Sequence, residues 1–530
     1  MNSFSSYEHF WSEIHELKTS DILDNVEFLK PNNRSSTIFP IFKDRHTQTS
    51  IKFLSYWLKK HGNNVIARLT TRDLLGAEIN KKFLIITTCK AFNYVISDQF
   101  PLTENGFCGS VEVEIFSETT PLFTFPAITV SYSTRNSCSV VHGGIRTYNS
   151  TEKINDYALQ FPQTGFDVNI EMENKNFICF FGGNSDKYSL KIELQENGNT
   201  KFYIVEFQND CHGQSHIFYL EDIMQNQDIK LFKSPKCVIH HNLKDVFPRF
   251  YVGIRHKNFA PTLTHTFFDT SESNLDHDNS NYSRLRANNS MPDKYFDSAF
   301  SVPIYPTDIF DTSIQAYDQN LKFSGTAIAS IYSNNGELKF SRSLTDGELI
   351  KLCGIGDLNL NKFILEAQIS KDKSYSLCLA FVDKKIPFPN RFKLGLNVKR
   401  KKALYGSNIC FAPLVTSENT LSKPFSRRWF PIGGPQKYIA SIHNTALNRL
   451  PNDENTECVL EFFNHQGDTI LERKAIQENA SIFIDPSNDE KLSNFLDERE
   501  GWCMVTSSTY LCDAYYFCMA DTQIGGDHAF

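Results

Sequence analysis

From Val65 onward, short runs of β-branched and aromatic residues alternate with clusters of Asn, Asp, Gly and Ser. That rhythm is too brief for helices and suits antiparallel sheets. Candidate strands lie at 65–69, 83–88, 93–97, 110–116 and 127–132. Three later runs, 188–194, 327–332 and 459–463, each precede a polar, Gly-containing turn and then a second strand. The turns are Glu196-Asn197-Gly198-Asn199, Ser333-Asn334-Asn335-Gly336-Glu337 and Asn464-His465-Gln466-Gly467-Asp468. Glycine supplies the positive φ that a tight hairpin needs, so three recurrences read as one hairpin used repeatedly. The second copy continues into 341–352 and the third into 474–484, each a polar stretch with a strand-like ending.

The copies start roughly 130 residues apart, too far for a solenoid and suited to tandem β-sandwich domains of jelly-roll or Ig-like type. A chain of 530 residues exceeds what one hydrophobic core holds and implies about three or four globular units. The expected organisation is an N-terminal helical segment over 1–62, β-sandwich structure over 63–268, and a polar loop or linker over 269–297. Further sandwiches follow over 298–415 and 425–530. The linker reading comes from DTSESNLDHDNSNYSRLRANNSMPDKYFD, which has too few apolar residues to fold alone.

Helical signals precede the β region. Ser5 and Glu8 have capping-box spacing ahead of Phe10, Trp11, Ile14 and Leu17, which share one helical face. Ile51, Leu54 and Leu58, with Trp57 alongside and Gly62 as a stop, predict a second helix.

Composition narrows the function classes. With 54 basic and 61 acidic residues the net charge is -7, which offers no general attraction to nucleic acid or anionic lipid. No stretch approaches the ~18 uncharged apolar residues of a membrane-spanning helix. The opening MNSFSSYEHFWSEIHEL does not read as a secretory signal, and 13 cysteines without a C-x-x-C fit reduced thiols, so a cytoplasmic location is expected.

Histidine density is the most unusual local feature. Seven of the 15 histidines, His212, His216, His240, His241, His256, His265 and His277, fall within one 66-residue window. Neutral imidazoles ligate transition metals, and Asp269, Asp276 and Asp278 could complete a mixed shell. The divalent-metal candidate set is His212, His216, His256, His265 and Asp269. The plainer reading is a chance gathering of surface and loop histidines.

Two further clusters suggest ligand contacts. In Val141-His142-Gly143-Gly144-Ile145-Arg146-Thr147-Tyr148, the glycine pair lets backbone approach a ligand, and Arg146 and Tyr148 alternate onto one strand face beyond His142. The same glycine pair also suits a plain hairpin turn. Around Pro431, Arg427, Arg428 and Trp429 combine guanidinium groups with an aromatic ring, a surface for carboxylated sugars or a protein. The tail Gly525–Phe530 carries Asp527 and His528, which would matter only if docked. No nucleophile-elbow, P-loop or dinucleotide fingerprint occurs.

Together these features point to a non-catalytic, multidomain β-sandwich protein that binds carbohydrate or a protein partner or serves assembly, with self-association among the expected partners. The competing reading is a metal-dependent carbohydrate-active enzyme built on the histidines.

Overall fold

The computed structural model describes residues 34–62, 64–102, 106–117, 126–148, 159–170, 174–256, 259–268, 298–317, 326–352, 356–382, 394–403, 405–411, 414–415, 426–445, 455–508 and 512–530. The helix expected over 5–17 and the polar segment 269–297 lie outside these residues.

The protein is mainly β, with several antiparallel sheets. Its described strands fall into four tandem copies of one eight-strand topology. The first repeat comprises Arg34–Phe42, Gln48–Leu54, Val65–Asp73, Glu78–Ile86, Ala91–Val95, Phe107–Ser117, Thr129–Ser133 and Cys138–His142. The second comprises Gln163–Thr164, Lys175–Phe181, Lys187–Glu196, Asn199–Gln208, Ser215–Tyr219, Lys236–His241, Tyr251–Arg255 and Thr262–His265. In the third the strands are Ser298–Ile304, Phe310–Ala316, Thr326–Tyr332, Leu338–Ser343, Leu358–Asn359, Tyr375–Val382, Leu394–Arg400 and Ser407–Phe411. The fourth has Ser426–Gly433, Tyr438–Asn444, Asn455–Phe463, Thr469–Gln477, Ser481–Ile484, Glu500–Ser507, Cys512–Met519 and Ile524–His528. In every copy one set of strands runs in the order first, sixth, third, fourth and the other in the order fifth, second, seventh, eighth. In the fourth copy the two sets are joined into one eight-stranded sheet through Gly433↔Tyr438, and in the second and third copies a short strand, Phe267–Phe268 or Leu414–Val415, is added beside the first.

The hairpin between third and fourth strands recurs in all four copies. Its turn glycine is Gly76, Gly198, Gly336 or Gly467, and all four have positive φ. In three copies the turn is built alike. Asp73, Ser333 and Asn464 each donate their N–H to the carbonyl four residues on, and each carbonyl accepts from the turn glycine. A polar first residue reinforces the loop: Asn464 Oδ1 accepts from the N–H groups of Gln466, Gly467 and Asp468, each at 2.9 Å. The second repeat uses a two-residue turn instead, with Asn197 and Gly198 both left-handed between the paired Glu196 and Asn199.

Period-two patterning then orients the strands. Along Lys187–Glu196, Tyr188, Leu190, Ile192 and Leu194 are buried while Lys187 and Lys191 are exposed. In the third repeat, Phe300, Val302, Ile304, Leu377, Leu379 and Phe381 of one sheet share a single apolar cluster with Ile314, Leu394, Leu396, Val398, Ile409 and Phe411 of the other.

The structure corrects the reading of residues 34–62 as helical. Gln48–Leu54 is a strand flanked on both sides, pairing with Ala91–Val95 and Thr129–Ser133. A strand covered on both faces buries Ile51, Phe53 and Leu54 together, which imitates helical spacing over so short a run. Only Tyr56–His61 is helical, and Gly62 caps it in the left-handed conformation with its N–H on Leu58 O.

The chain divides into two compact units. The first contains Met1–Arg135, Val140–Gln163 and Asp167–Phe268; the second contains Asn136–Ser139, Thr164–Phe166 and Asp269–Phe530. Within the first unit Phe39 stacks on Tyr251 and Phe42 packs on Phe177, so the first two repeats share apolar contact. Within the second, Tyr305 packs on Phe517 and Phe411 on Tyr515, joining the third and fourth repeats.

Candidate functional site

The densest chemistry in the first unit is a buried charge cluster. Glu112 and Glu114 are two apart on the sixth strand of the first repeat and therefore share a face. Strand register sets Arg68 directly opposite Glu114 on one side, while Ser36 occupies the same level on the other. Arg34 bridges both acids, with Nε 2.7 Å from Glu114 Oε1 and Nη2 2.8 Å from Glu112 Oε1. Arg68 pairs with Glu114 Oε2, and Arg72 Nη1 lies 2.9 Å from Glu112 Oε2. Both carboxylate side chains are only 3% exposed. Burial alone would raise their pKa, but Arg72 and Arg34 beside Glu112, and Arg68 beside Glu114, hold both acids below the usual carboxylate range.

The second repeat reaches this cluster through His212. Thr147 Oγ1 donates to Glu112 Oε1 at 3.3 Å and lies 3.1 Å from His212 Nε2. With its proton committed to a carboxylate, the hydroxyl accepts from His212, which fixes the Nε2–H tautomer. Burial, with Arg72 and Arg34 nearby, outweighs the attraction of Glu112 and keeps the imidazole pKa below its ordinary value. Gly213, with φ of +79°, lies where an added Cβ would come 2.9 Å from Arg72 Cδ.

The segment expected to form a glycine hairpin or ligand contact is instead an interior crossing. Every residue from Val141 to Tyr148 is buried. Gly143 N donates to Ile128 O at 2.8 Å, Ile145 O accepts from Ile38 N at 3.0 Å, and Arg146 O accepts from Phe247 N at 2.8 Å. Gly143 abuts Thr37 and Gly144 abuts Arg249, so space rather than turn geometry selects these glycines. Arg146 lies over the Tyr148 ring at 5.2 Å. His142 is brought to His265, Nε2 to Nε2, at 3.0 Å, while His265 Nδ1 donates to Thr266 O at 2.9 Å. His265 Nε2 is consequently the acceptor and His142 Nε2–H the donor.

The remaining candidate imidazoles have separate partners. His216 stacks on Phe180 at 4.8 Å and contacts Asn209 Oδ1 at 3.1 Å; burial lowers its pKa to about 4. His256 meets Asn174 Oδ1 at 3.1 Å and Thr262 Oγ1 at 3.3 Å, and burial followed by Arg255 lowers it to about 3. His240 meets Glu193 at 3.1 Å and His241 the Phe161 carbonyl at 3.2 Å. Asp269, Asp276, His277 and Asp278 lie outside the described residues. Strand assignment explains the dispersal: His216 is on the fifth strand, His240 and His241 on the sixth, and His265 on the eighth.

In the fourth repeat, Trp429 is only 3% exposed and stacks on Phe530 at 6.1 Å, so its ring belongs to the interior. Arg427 and Arg428 are half-buried, and Arg428 Nη1 donates to Arg427 O at 3.1 Å. The tail is docked as the strand Ile524–His528.

Sequence reading missed a second polar cluster, in the second unit. Asp513 Oδ2 accepts from Ser301 N at 2.9 Å and Thr445 Oγ1 at 2.7 Å, and burial pushes its carboxyl up to about 6. Its strand partner His443 places Nδ1 2.9 Å from Ser376 Oγ and 2.8 Å from Ser481 Oγ. Burial holds this imidazole at about 3. A serine hydroxyl beside an imidazole is the contact of an activated nucleophile, but His443 is 0% and Ser376 1% exposed, closed to substrate. An isolated His in Ser441-Ile442-His443-Asn444-Thr445 gives no warning of this arrangement.

No family model matches the sequence, and no curated protein does so either. Solved structures it is similar to include a tetra-tandem repeat in the extending region of a large adhesion protein, 8% identical over 88% of this chain and 91% of that one, with a TM-score of 0.09. Another is tripeptidyl peptidase 2, 8% identical over 95% of this chain and 41% of that one, at 0.11. TM-scores this low carry no argument about fold or function. The class follows from the molecule itself: a mainly β protein of several antiparallel sheets, whose described part contains no helix long and apolar enough to cross a membrane.

Proposed function

We propose that the protein is a multidomain β-sandwich binding or assembly component, acting on a protein or carbohydrate partner and not as a catalyst. The observation that carries this reading is the use made of its reactive groups. Glu112 and Glu114 are held by arginines of their own repeat, while His212, His443 and Asp513 are spent on hydrogen bonds that tie neighbouring segments together inside a unit. Two sheets sharing one apolar cluster in the third repeat support the sandwich description. Of the residues singled out as ligand contacts, Arg427 and Arg428 are the more accessible. Free thiols at Cys138, Cys179, Cys211, Cys378 and Cys503 fit a reducing, cytoplasmic setting.

Light scattering of the purified chain with a glycan array tests the reading. Self-association or retention of a defined glycan supports it. A monodisperse monomer that retains no glycan, together with turnover of a carbohydrate substrate, overturns it. One observation favours the metal-dependent enzyme as a second reading: the 3.0 Å approach of His142 to His265. Elemental analysis of unchelated protein decides it, since a stoichiometric transition metal lost in His142→Ala and His265→Ala would establish a metal centre.

A further inference from the structure

We propose that the strand Asn199–Gln208 is a self-association edge, pairing antiparallel with the same strand of a second copy of this chain. The inference rests on the assembly reading above and names its partner and surface.

In every repeat the fourth strand ends its sheet, and a sheet edge with open N–H and C=O groups invites pairing unless it is blunted. Three of the four edges carry blunting devices. Glu78–Ile86 has a register break opposite Thr71/Arg72 and carries Lys81 and Lys82. Leu338–Ser343 has only 6 residues, a register break at Ile331/Tyr332, and an Arg342 tied to Glu348 and Glu366. Thr469–Gln477 presents Glu472, Arg473 and Lys474 in succession. Asn199–Gln208 has neither a break nor such a run. It spans 10 residues in unbroken register, from Lys187↔Gln208 to Glu196↔Asn199. Its solvent face carries Phe202, 52% exposed, and Ile204, 71% exposed. Among the described residues no strand lies on its outer side.

The sequence of this edge selects a second copy as its occupant. Opposed residues in an antiparallel pair point to the same face, so a two-fold axis must pass through a residue position. Centred on Tyr203, the axis sets Phe202 against the copy's Ile204 and Ile204 against the copy's Phe202, with Thr200 against Glu206 beyond them. Lys201 sits near one end of the strand and Glu206 near the other. About this axis Lys201 faces the copy's Val205 and Glu206 the copy's Thr200, so no like charges meet, whereas parallel in-register pairing would stack Lys201 on Lys201 and Glu206 on Glu206. One strand pair buries less than the ~1,000 Å² expected of a stable interface, so the association is concentration-dependent.

Sedimentation velocity of the full chain across the micromolar range, with hydrogen exchange, tests this. A reversible monomer–dimer equilibrium is expected, with exchange of amides 199–208 slowing as concentration rises. Ile204→Lys should raise the dimer Kd at least tenfold, and Phe202→Lys likewise, without shifting the thermal midpoint. Leu471→Lys, on the charged edge of the fourth repeat, should leave it unchanged. Monomers at every concentration, or a dimer indifferent to both lysine variants, would overturn the proposal. So would protection of these amides in a monomer, which would assign the edge to another segment of this chain. A monomer that still retains a glycan removes this edge while leaving the binding reading intact.

Discussion

Arg34 and Glu112 meet at 2.8 Å with both side chains 3% exposed, so neither has water to fall back on if the other is lost. Removing one member of such a buried pair typically costs about 3–5 kcal/mol, because the survivor keeps its desolvation penalty. Glu112→Ala leaves Arg34 with Glu114 alone and Arg72 with only the distant Glu78, and should lower the unfolding free energy of the first unit by an amount in that range. Glu78→Ala, which removes a more exposed partner 3.8 Å from Arg72, should cost under about 1 kcal/mol. Chemical denaturation of the two variants compares them.

Acid should destabilise the protein from the histidine range downward. His216, at about 4, and His256 and His443, at about 3, stay neutral when folded, whereas unfolded imidazoles take up protons near 6.5. The unfolded state then binds more protons, so stability falls as pH drops below 6.5, by about 1.4 kcal/mol per pH unit for each such histidine. Glu112 and Glu114 add to the loss only lower, as pH falls through the unfolded carboxylate range. Denaturation at pH 7 and pH 5 should show the drop, and His443→Gln should reduce it.

Asp513 works in the opposite direction. Its folded value of about 6 exceeds the ordinary 3.8, so between these limits the folded chain holds a proton that the unfolded chain has released. Its contribution favours folding at low pH and fades as pH rises through about 6. Asp513→Asn should therefore stabilise the chain at pH 8, by on the order of 1–3 kcal/mol, and change little at pH 4. Equal effects at both pH values would refute this assignment.

Alanine at two turn glycines should separate backbone strain from crowding. Gly198, with φ of +81°, has nothing within 4 Å of an added Cβ, so Gly198→Ala carries only the left-handed penalty of about 1–2 kcal/mol. Gly336, with φ of +82°, would place the Cβ 2.6 Å from Glu478 O and should cost visibly more. Thermal midpoints of the two variants rank them.

The hairpins show how far sequence reading reached. Gly198, Gly336 and Gly467 stood out because polar residues surround them, but Gly76 follows Leu74 and Leu75, which read as apolar rather than as a turn. The fourth copy of the topology was hidden with it, although Asp73 supplies the same kind of polar support, accepting from Leu75 N and Ala77 N at 2.9 Å. Likewise Thr345 and Glu348 form a capping box for the helix Asp346–Ile350, a signal passed over in a stretch read as strand-like. The charge cluster was less accessible. Glu112 and Glu114 alternate with valine as a solvated strand face would, and only the register with Arg34 and Arg68, far away in sequence, reveals that the face is covered. His142 and His265, 123 residues apart, could not be paired by spacing alone.

The two units join their repeats with different chemistry, and that has a consequence for how four look-alike folds find their partners. Between the first two repeats the guanidinium of Arg255 meets the carboxylate of Asp44; between the third and fourth, Asp513 accepts from Ser301 N and an uncharged His443 meets Ser376. A first repeat docked on any partner but the second would leave Asp44 without its guanidinium, and neighbouring domains of similar shape are otherwise prone to swap. Each half of the chain thus carries its own matched pair of groups, which disfavours a repeat docked on the wrong sibling.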